Sequence, residues 1–358
     1  MRPKRFAKAL LGQALVHSGL WQRRLSGWAR RNAAIVVTYH RVTEKWDETL
    51  DYSQPGMVVS AVGFACQLDF LMQHFDIVPL GALLRHGDRT SQRARPRCVI
   101  TFDDGWRDNY DLALPILRRR NMPAAIYLST DFIGTDRAFW HTELIYLFTR
   151  TDVPRALTVD HGFARYPERV RHELSRLATI RPLSASDLDS LIETVKALCD
   201  EEIIDDLVQT LGHTVGLRRP FIPGRRFFLD WEQVREMAAA GFEIGSHTCS
   251  HRILTRLAAG SANDELLRSK AVIERLVGVK VEHFAFPNEA GNDALVRAAA
   301  RAGYRTACVA EPVTGGGARG IQLLRRLGMH EGIWGDGRSF DERLLRYSLF
   351  RAPEAVAA

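Results

Sequence analysis

No run of apolar residues in this chain approaches the ~18 that a membrane-spanning helix needs, so none is expected. Cysteine is scarce: Cys66, Cys98, Cys199, Cys249 and Cys308 are odd in number, scattered, and form no C-x-x-C pair. That excludes a disulfide framework and a structural zinc knuckle, and it fits a reducing compartment. Internal repeats and low-complexity tracts are also missing, apart from the loop-like run TGGGARG at 314–320.

Acidic residues are absent from the first 31 positions, which carry eight Lys or Arg. The rest holds 41 Lys/Arg against 42 Asp/Glu, a net charge of −1, so the chain's overall +7 belongs to this arm. A nucleic-acid partner is therefore not expected, because the basic balance is not spread over the body. Phe6, Leu10, Ala14, His17, Trp21, Leu25 and Trp28 recur at steps of three and four, the pattern of an amphipathic helix. Such a helix suits an anionic membrane surface or a partner; docking on its own domain and a signal peptide are the rival readings. The signal peptide is disfavoured because ALLGQALV is short, contains Gln13 and leads to no small-residue cleavage site. The expected location is cytoplasmic, peripheral at the inner face of the cell membrane.

With 358 residues, 46% of them hydrophobic, the chain can bury a full core. Short β-branched apolar runs at 35–39, 76–80, 98–102, 124–129, 242–246, 282–286 and 306–310 alternate with helical patterns at 64–74, 111–120, 231–240, 264–276 and 293–302. That rhythm predicts an α/β fold with a parallel sheet, and an eighth run at 322–329 brings the strands to a barrel count. Residues 134–229 break the rhythm and read as a helical insertion on one strand-to-helix loop, a solvated cap or a substrate gate. The expected organisation is an arm at 1–31, a barrel at 32–345 carrying the insertion, and a tail at 346–358.

Three polar clusters end three predicted strands: Asp103 with Asp104, His247 with His251, and Pro287 with Asn288. All strand C-termini of a parallel barrel open on one face, so these clusters converge there. Two His and a carboxylate make a metal site with open positions, and a second carboxylate left out of it can accept a proton from water. Taken alone, DDG is an Asp-capped turn and H-x-x-x-H a helix surface pair.

TFDDGWRDNY at 101–110, EIGSHTCSH at 243–251 and FAFP at 284–287 resemble the motifs of the polysaccharide deacetylase family, carbohydrate esterase family four, the nodulation-type chitooligosaccharide deacetylase homology domain. VVTYHRV at 36–42, NMPAAIYLST at 121–130 and SKAVIERLVG at 269–278 extend the resemblance over roughly 35–345, insertion apart. It implies a distorted (β/α) barrel and a hydrolase that removes N-acetyl groups from amino-sugar units of a poly-, oligo- or lipid-linked saccharide. It also implies one divalent metal, for which Zn²⁺ suits the ligands, held by Asp104, His247 and His251. Asp103 resembles the general base, and the backbone N–H of Asn288, next to Pro287, the oxyanion donor.

Two family features are not plainly present. The base-orienting Arg is replaced by Phe284, for which Arg326 in LLRRLGMHEG is the candidate substitute, and the late Leu-x-His is missing, leaving His330 or His40 as the acid. Trp140 and His141 open the insertion and are candidate sugar contacts, although a Trp beside Leu144 and Ile145 is also ordinary core. The alternatives are a metal amidohydrolase acting on another acylated small molecule and a catalytically silent glycan-binding module.

Overall fold

The computed structural model describes residues 3–46, 52–84, 94–157, 163–180, 183–219, 221–222, 224–310, 320–333 and 340–355. The glycine-rich run at 314–320 lies outside them except for Gly320. The strands are β1 (Ala34–Tyr39), β2 (Arg41–Thr43), β3 (Val58–Ser60), β4 (Asp76–Ile77), β5 (Arg97–Phe102), β6 (Ala125–Leu128), β7 (Glu243–Ser246), β8 (His283–Ala285), β9 (Thr306–Cys308), β10 (Gln322–Leu324) and β11 (Leu327–Gly328). β2 and β3 form a small parallel pair that the sequence pattern did not disclose. The others make one all-parallel sheet in the order β10-β9-β8-β7-β6-β5-β1-β11, with β4 on the first half of β5.

The ends of that order are neighbours in the chain. Only Arg325 and Arg326 separate β10, which pairs with β9, from β11, which pairs with β1. The sheet must therefore curl until its edges meet, giving the distorted (β/α) barrel. Alternation along the strands sorts two cores. Ala34 and Val36, Val99, Ala125 and Tyr127 pack with one another inside the curl. Ile35, Val37, Cys98, Ile100, Ile126 and Leu128 point outward under the helices. By the same parity Thr38 and His40 after it, and Thr101 and Asp103 after it, stand on the inner face at the strand C-termini.

Helices α1 (Pro3–His17) and α2 (Leu20–Arg30) precede the sheet, and α3 (Ala61–His74) and α4 (Leu114–Arg118) flank it. The insertion supplies α5 (Trp140–Arg150), α6 (Val153–Ala156), α7 (Glu168–Thr179), α8 (Asp189–Leu198) and α9 (Glu201–His213). Then follow α10 (Trp231–Ala239), α11 (Ala259–Val277), α12 (Asp293–Arg301) and α13 (Glu342–Phe350). The insertion has its own apolar core, with Leu147, Leu174, Leu191 and Leu207 all buried, and meets the barrel side through Val58.

Five expectations need correction. The arm is not separate, because Trp21, Leu25 and Trp28 of α2 belong to the main core. Residues 346–355 are no loose tail: Leu349 is buried, and the Ala355 N–H donates to the carbonyl of Ala34 at 2.8 Å. The helix expected at 111–120 begins as a π turn over Asn109–Ala113 before α4, where Pro115 cannot donate to a regular ladder. The strand at 76–80 shrinks to β4 ahead of Pro79, and the run at 322–329 splits where the chain changes sheet edge.

Candidate active site

The strand C-termini surround a cavity of about 290 Å³ lined by His40, Asp103, Asp104, His247, His251 and Arg326, among others. Asp103 and Asp104 follow β5, His247 follows β7, and Arg326 stands between β10 and β11. The backbone here is strained: Asp104 (φ 75°), Thr248 (70°), His251 (60°), Asn288 (54°) and Glu289 (53°) all occupy the left-handed region. Non-glycine residues hold such angles at ~1–3 kcal/mol each, so surrounding packing must impose them, as is common where side chains are aimed for chemistry. Gly105 completes the turn at φ 84°, and a Cβ there would come 2.8 Å from Ile133 Cδ1.

Asp104 is buried, and its Oδ1 has no hydrogen-bond partner. His247 Nε2 stands 3.4 Å away and His251 Nε2 3.3 Å, and one ligand atom from each residue falls within 4.8 Å of the others. Neighbours fix each group. Trp106 Nε1–H donates to Asp104 Oδ2 at 2.7 Å. His247 Nδ1 lies 2.7 Å from the Ala285 carbonyl, so it carries the proton and Nε2 presents a lone pair. Burial pushes the His247 pKa down to about 4, which keeps the ring neutral. Phe139 stacks on His251, centroids 4.3 Å apart. Asp104 is held well below the ordinary carboxylate range: burial opposes ionisation, and the electrostatic pull of His251, with His40 and His247 behind it, outweighs it. An unpartnered carboxylate oxygen facing two imidazoles is a donor set that a divalent cation satisfies.

Asp103 is held differently. Arg326 Nη1–H and Nη2–H donate to its two carboxylate oxygens, each at 2.7 Å, while Arg326 Nε–H donates to Glu289 Oε1 at 2.8 Å. The guanidinium is 1% exposed. Burial pushes the Asp103 carboxyl up, but Arg326 first and His247 next pull harder and hold it below its usual range. Phe284, at the place where the family resemblance led to the expectation of an arginine, is buried against Phe286 and Tyr304. The arginine comes instead from the barrel seam.

Of the two candidate acids, His40 lines the cavity with Nε2 3.8 Å from Asp103 Oδ2. His330 does not line it; its Nδ1 accepts from the Gly332 N–H at 3.2 Å. Trp140 and His141, at the start of α5, both line the cavity, and His141 is buried with Nδ1 unpartnered. Pro287 is buried and Asn288 lines the wall. Sequence reasoning missed the roof: Lys196 at the end of α8, Glu201 and Ile204 of α9, and Arg256 face the same cavity. No local spacing signals Lys196, Glu201 and Ile204, since the insertion's own packing sets where they point; Arg256 lies outside the insertion, in the short turn Leu254–Arg256. Trp106 was also missed, although its place directly after the DDG turn was a signal.

The sequence model described as polysaccharide deacetylase matches residues 90–177 and 198–307, leaving out a stretch of the insertion that contains all of α8 except Leu198. A curated relative, YxkH of Bacillus subtilis (strain 168), whose polysaccharide deacetylase name is itself provisional, is 28% identical over 112 residues. That match covers 31% of this chain and 40% of the relative's length. Among solved structures, Streptococcus pyogenes deacetylase PplD in complex with acetate superposes with a TM-score of 0.53 at 16% identity, covering 88% of this chain and 98% of that one. IcaB from Ammonifex degensii gives 0.51 at 15%, covering 89% and 96%. At these identities the structures establish a shared fold, and the sequence match adds the lineage: the chain belongs to the polysaccharide deacetylase family.

Proposed function

We propose that the protein is a metal-dependent N-deacetylase acting on amino-sugar units of a glycan, free or lipid-linked. The observation that carries this reading is the unpartnered Asp104 Oδ1 facing two imidazoles, beside a second carboxylate clamped by Arg326. Asp104, His247 and His251 hold one divalent ion, for which we favour Zn²⁺. When bound, that ion supplies Lewis acidity toward an acetyl carbonyl and toward water.

The chain's own residues do the rest. Asp103, kept ionised by Arg326, accepts a proton from the attacking water as its oxygen bonds to the acetyl carbon. The backbone N–H of Asn288 faces the oxygen on which negative charge develops. His40 delivers a proton to the amine as the carbon–nitrogen bond breaks, releasing acetate. Trp140 offers its ring to a pyranose face, and the roof residues Lys196 and Glu201 contact the rest of the sugar. A second cleft of about 300 Å³ shares Trp140, Glu201 and His251 with the first and leaves room for a neighbouring unit.

Incubation with N-acetylated amino-sugar oligosaccharides should release acetate and leave products lighter by an acetyl group, as read by mass spectrometry. Turnover of soluble acetamides with none of glycans would favour a small-molecule amidohydrolase; glycan binding without acetate release would favour a silent module. For the metal, protein with His247→Ala and His251→Ala together should lose near-stoichiometric bound metal by elemental analysis. Equal metal in the double variant would remove the site. Trp106→Phe keeps the ring that stacks on Phe228 but deletes the N–H that fixes Asp104. Its metal affinity should fall ~10–100-fold, the usual cost of losing a group that orients a ligand; a competition titration with a chelator measures it.

A further inference from the structure

The apolar stripe that runs through residues 6–28 as a single helical pattern is divided by the structure. Gly19, left-handed at φ 70°, separates α1 from α2. In α2 the stripe turns inward and Trp21, Leu25 and Trp28 are buried. In α1 it turns outward. The face that α1 lays on the body is made by Ala9 and Gly12, and Gly12 sits so close to α13 that a Cβ would fall 1.9 Å from the Arg343 carbonyl oxygen. Phe6, Leu10 and Leu11 are consequently 54%, 52% and 52% exposed, on one side of the helix with Ala7 and Ala14.

Exposed Lys4 and Lys8 border this face, and Leu20 and Arg23 at the start of α2 are exposed too. With no acidic residue in the first 31, a second copy of the same face would meet it with like charge. An anionic surface meets it with opposite charge, and a lipid surface also takes the apolar strip. Among the described residues no helix is long and apolar enough to cross a membrane. We propose that α1 is an interfacial helix that docks the protein on an anionic bilayer, with Phe6, Leu10 and Leu11 at the acyl boundary and Lys4, Lys8 and Arg23 among the headgroups.

The attachment is stiff, since α2 is part of the core and Gly12 locks α1 to α13.

Flotation of the full chain with vesicles of phosphatidylcholine alone, or of phosphatidylcholine with phosphatidylglycerol, tests it. The protein should float with the anionic vesicles, less so as salt rises. Leu10→Glu with Leu11→Glu should abolish flotation, while circular dichroism and acetate release from a soluble oligosaccharide stay as in the parent. Lys4→Ala with Lys8→Ala leaves the apolar residues in place and should weaken binding on the order of 30-fold, from the ~1 kcal/mol each basic residue contributes at such a surface. The proposal is overturned if the parent chain ignores anionic vesicles, binds neutral ones equally, or floats regardless of the Leu10 and Leu11 changes. It is also overturned if the parent is a dimer that those changes convert to monomer without any vesicle binding.

Discussion

Asp103→Asn should lower deacetylation ~10²–10⁴-fold, the range for removing a positioned general base, while metal content stays at the parent level. The amide keeps the shape of the carboxylate, and Asp104, His247 and His251 do not depend on it. Its NH₂ will face one Arg326 N–H, donor against donor, so some loss of stability should accompany the loss of rate. Asp104→Asn is expected to fail for a different reason, weaker metal affinity, and should recover in part when metal is added in excess. Steady-state turnover with and without added metal separates the neighbours. Should Asp103→Asn work near the parent rate, or be restored by metal, the assignment of Asp103 as base must be given up.

Arg326→Met should cost about 3–5 kcal/mol at neutral pH, the usual penalty for stripping one partner from a buried ion pair. It leaves the Asp103 and Glu289 carboxylates without the guanidinium between them. The pH dependence follows from the direction of the Asp103 shift. A carboxyl held below its unfolded value stabilises the fold above that value, ~3.9 for Asp, and loses this as pH falls through the folded one. Without Arg326, burial raises the Asp103 pKa instead, so ionisation then works against folding as pH rises. The gap in unfolding free energy should thus be widest at pH 7–8 and narrow toward pH 4, as read by urea unfolding across that range. The acidic limb of turnover should move to higher pH in the same variant. Arg326→Lys should fall between, because one ammonium cannot bond both Asp103 oxygens and Glu289 as the planar fork does. An unchanged unfolding free energy at pH 7 would mean that the clamp contributes nothing.

The parts of this site that were legible in the sequence are those whose cause is local. The DDG turn and the His247–His251 spacing are set within a few residues of one strand end, and strand parity already places His40 and Asp103 on the inner face. Arg326 was reachable only by elimination, from the Phe284 that stands in the arginine's place. Its pairing with Asp103 depends on the seam bringing β11 against β1, a strand from the other half of the chain. That His40 and not His330 lines the cavity was also hidden, because the short turn at Glu331–Ile333 draws the His330 ring to the Gly332 N–H. Lys196 and Glu201 were out of reach because the helices that carry them are oriented by the insertion's own core. The stripe from Phe6 to Trp28 kept its period across Gly19, so periodicity alone could not reveal that one half faces the core and the other the outside.

The barrel seam has a consequence for how the protein matures. Asp104, His247 and His251 follow β5 and β7, which lie in the middle of the sheet, whereas Arg326 reaches Asp103 only after residues 322–328 have bridged the two edges. A folding intermediate with the central strands assembled and the edges apart would already gather its metal ligands, yet its base would be unclamped. On the proposed reading, capture of the ion and competence for turnover would then arrive at separate stages of folding. The step that closes the barrel would also be the one that clamps the proposed base.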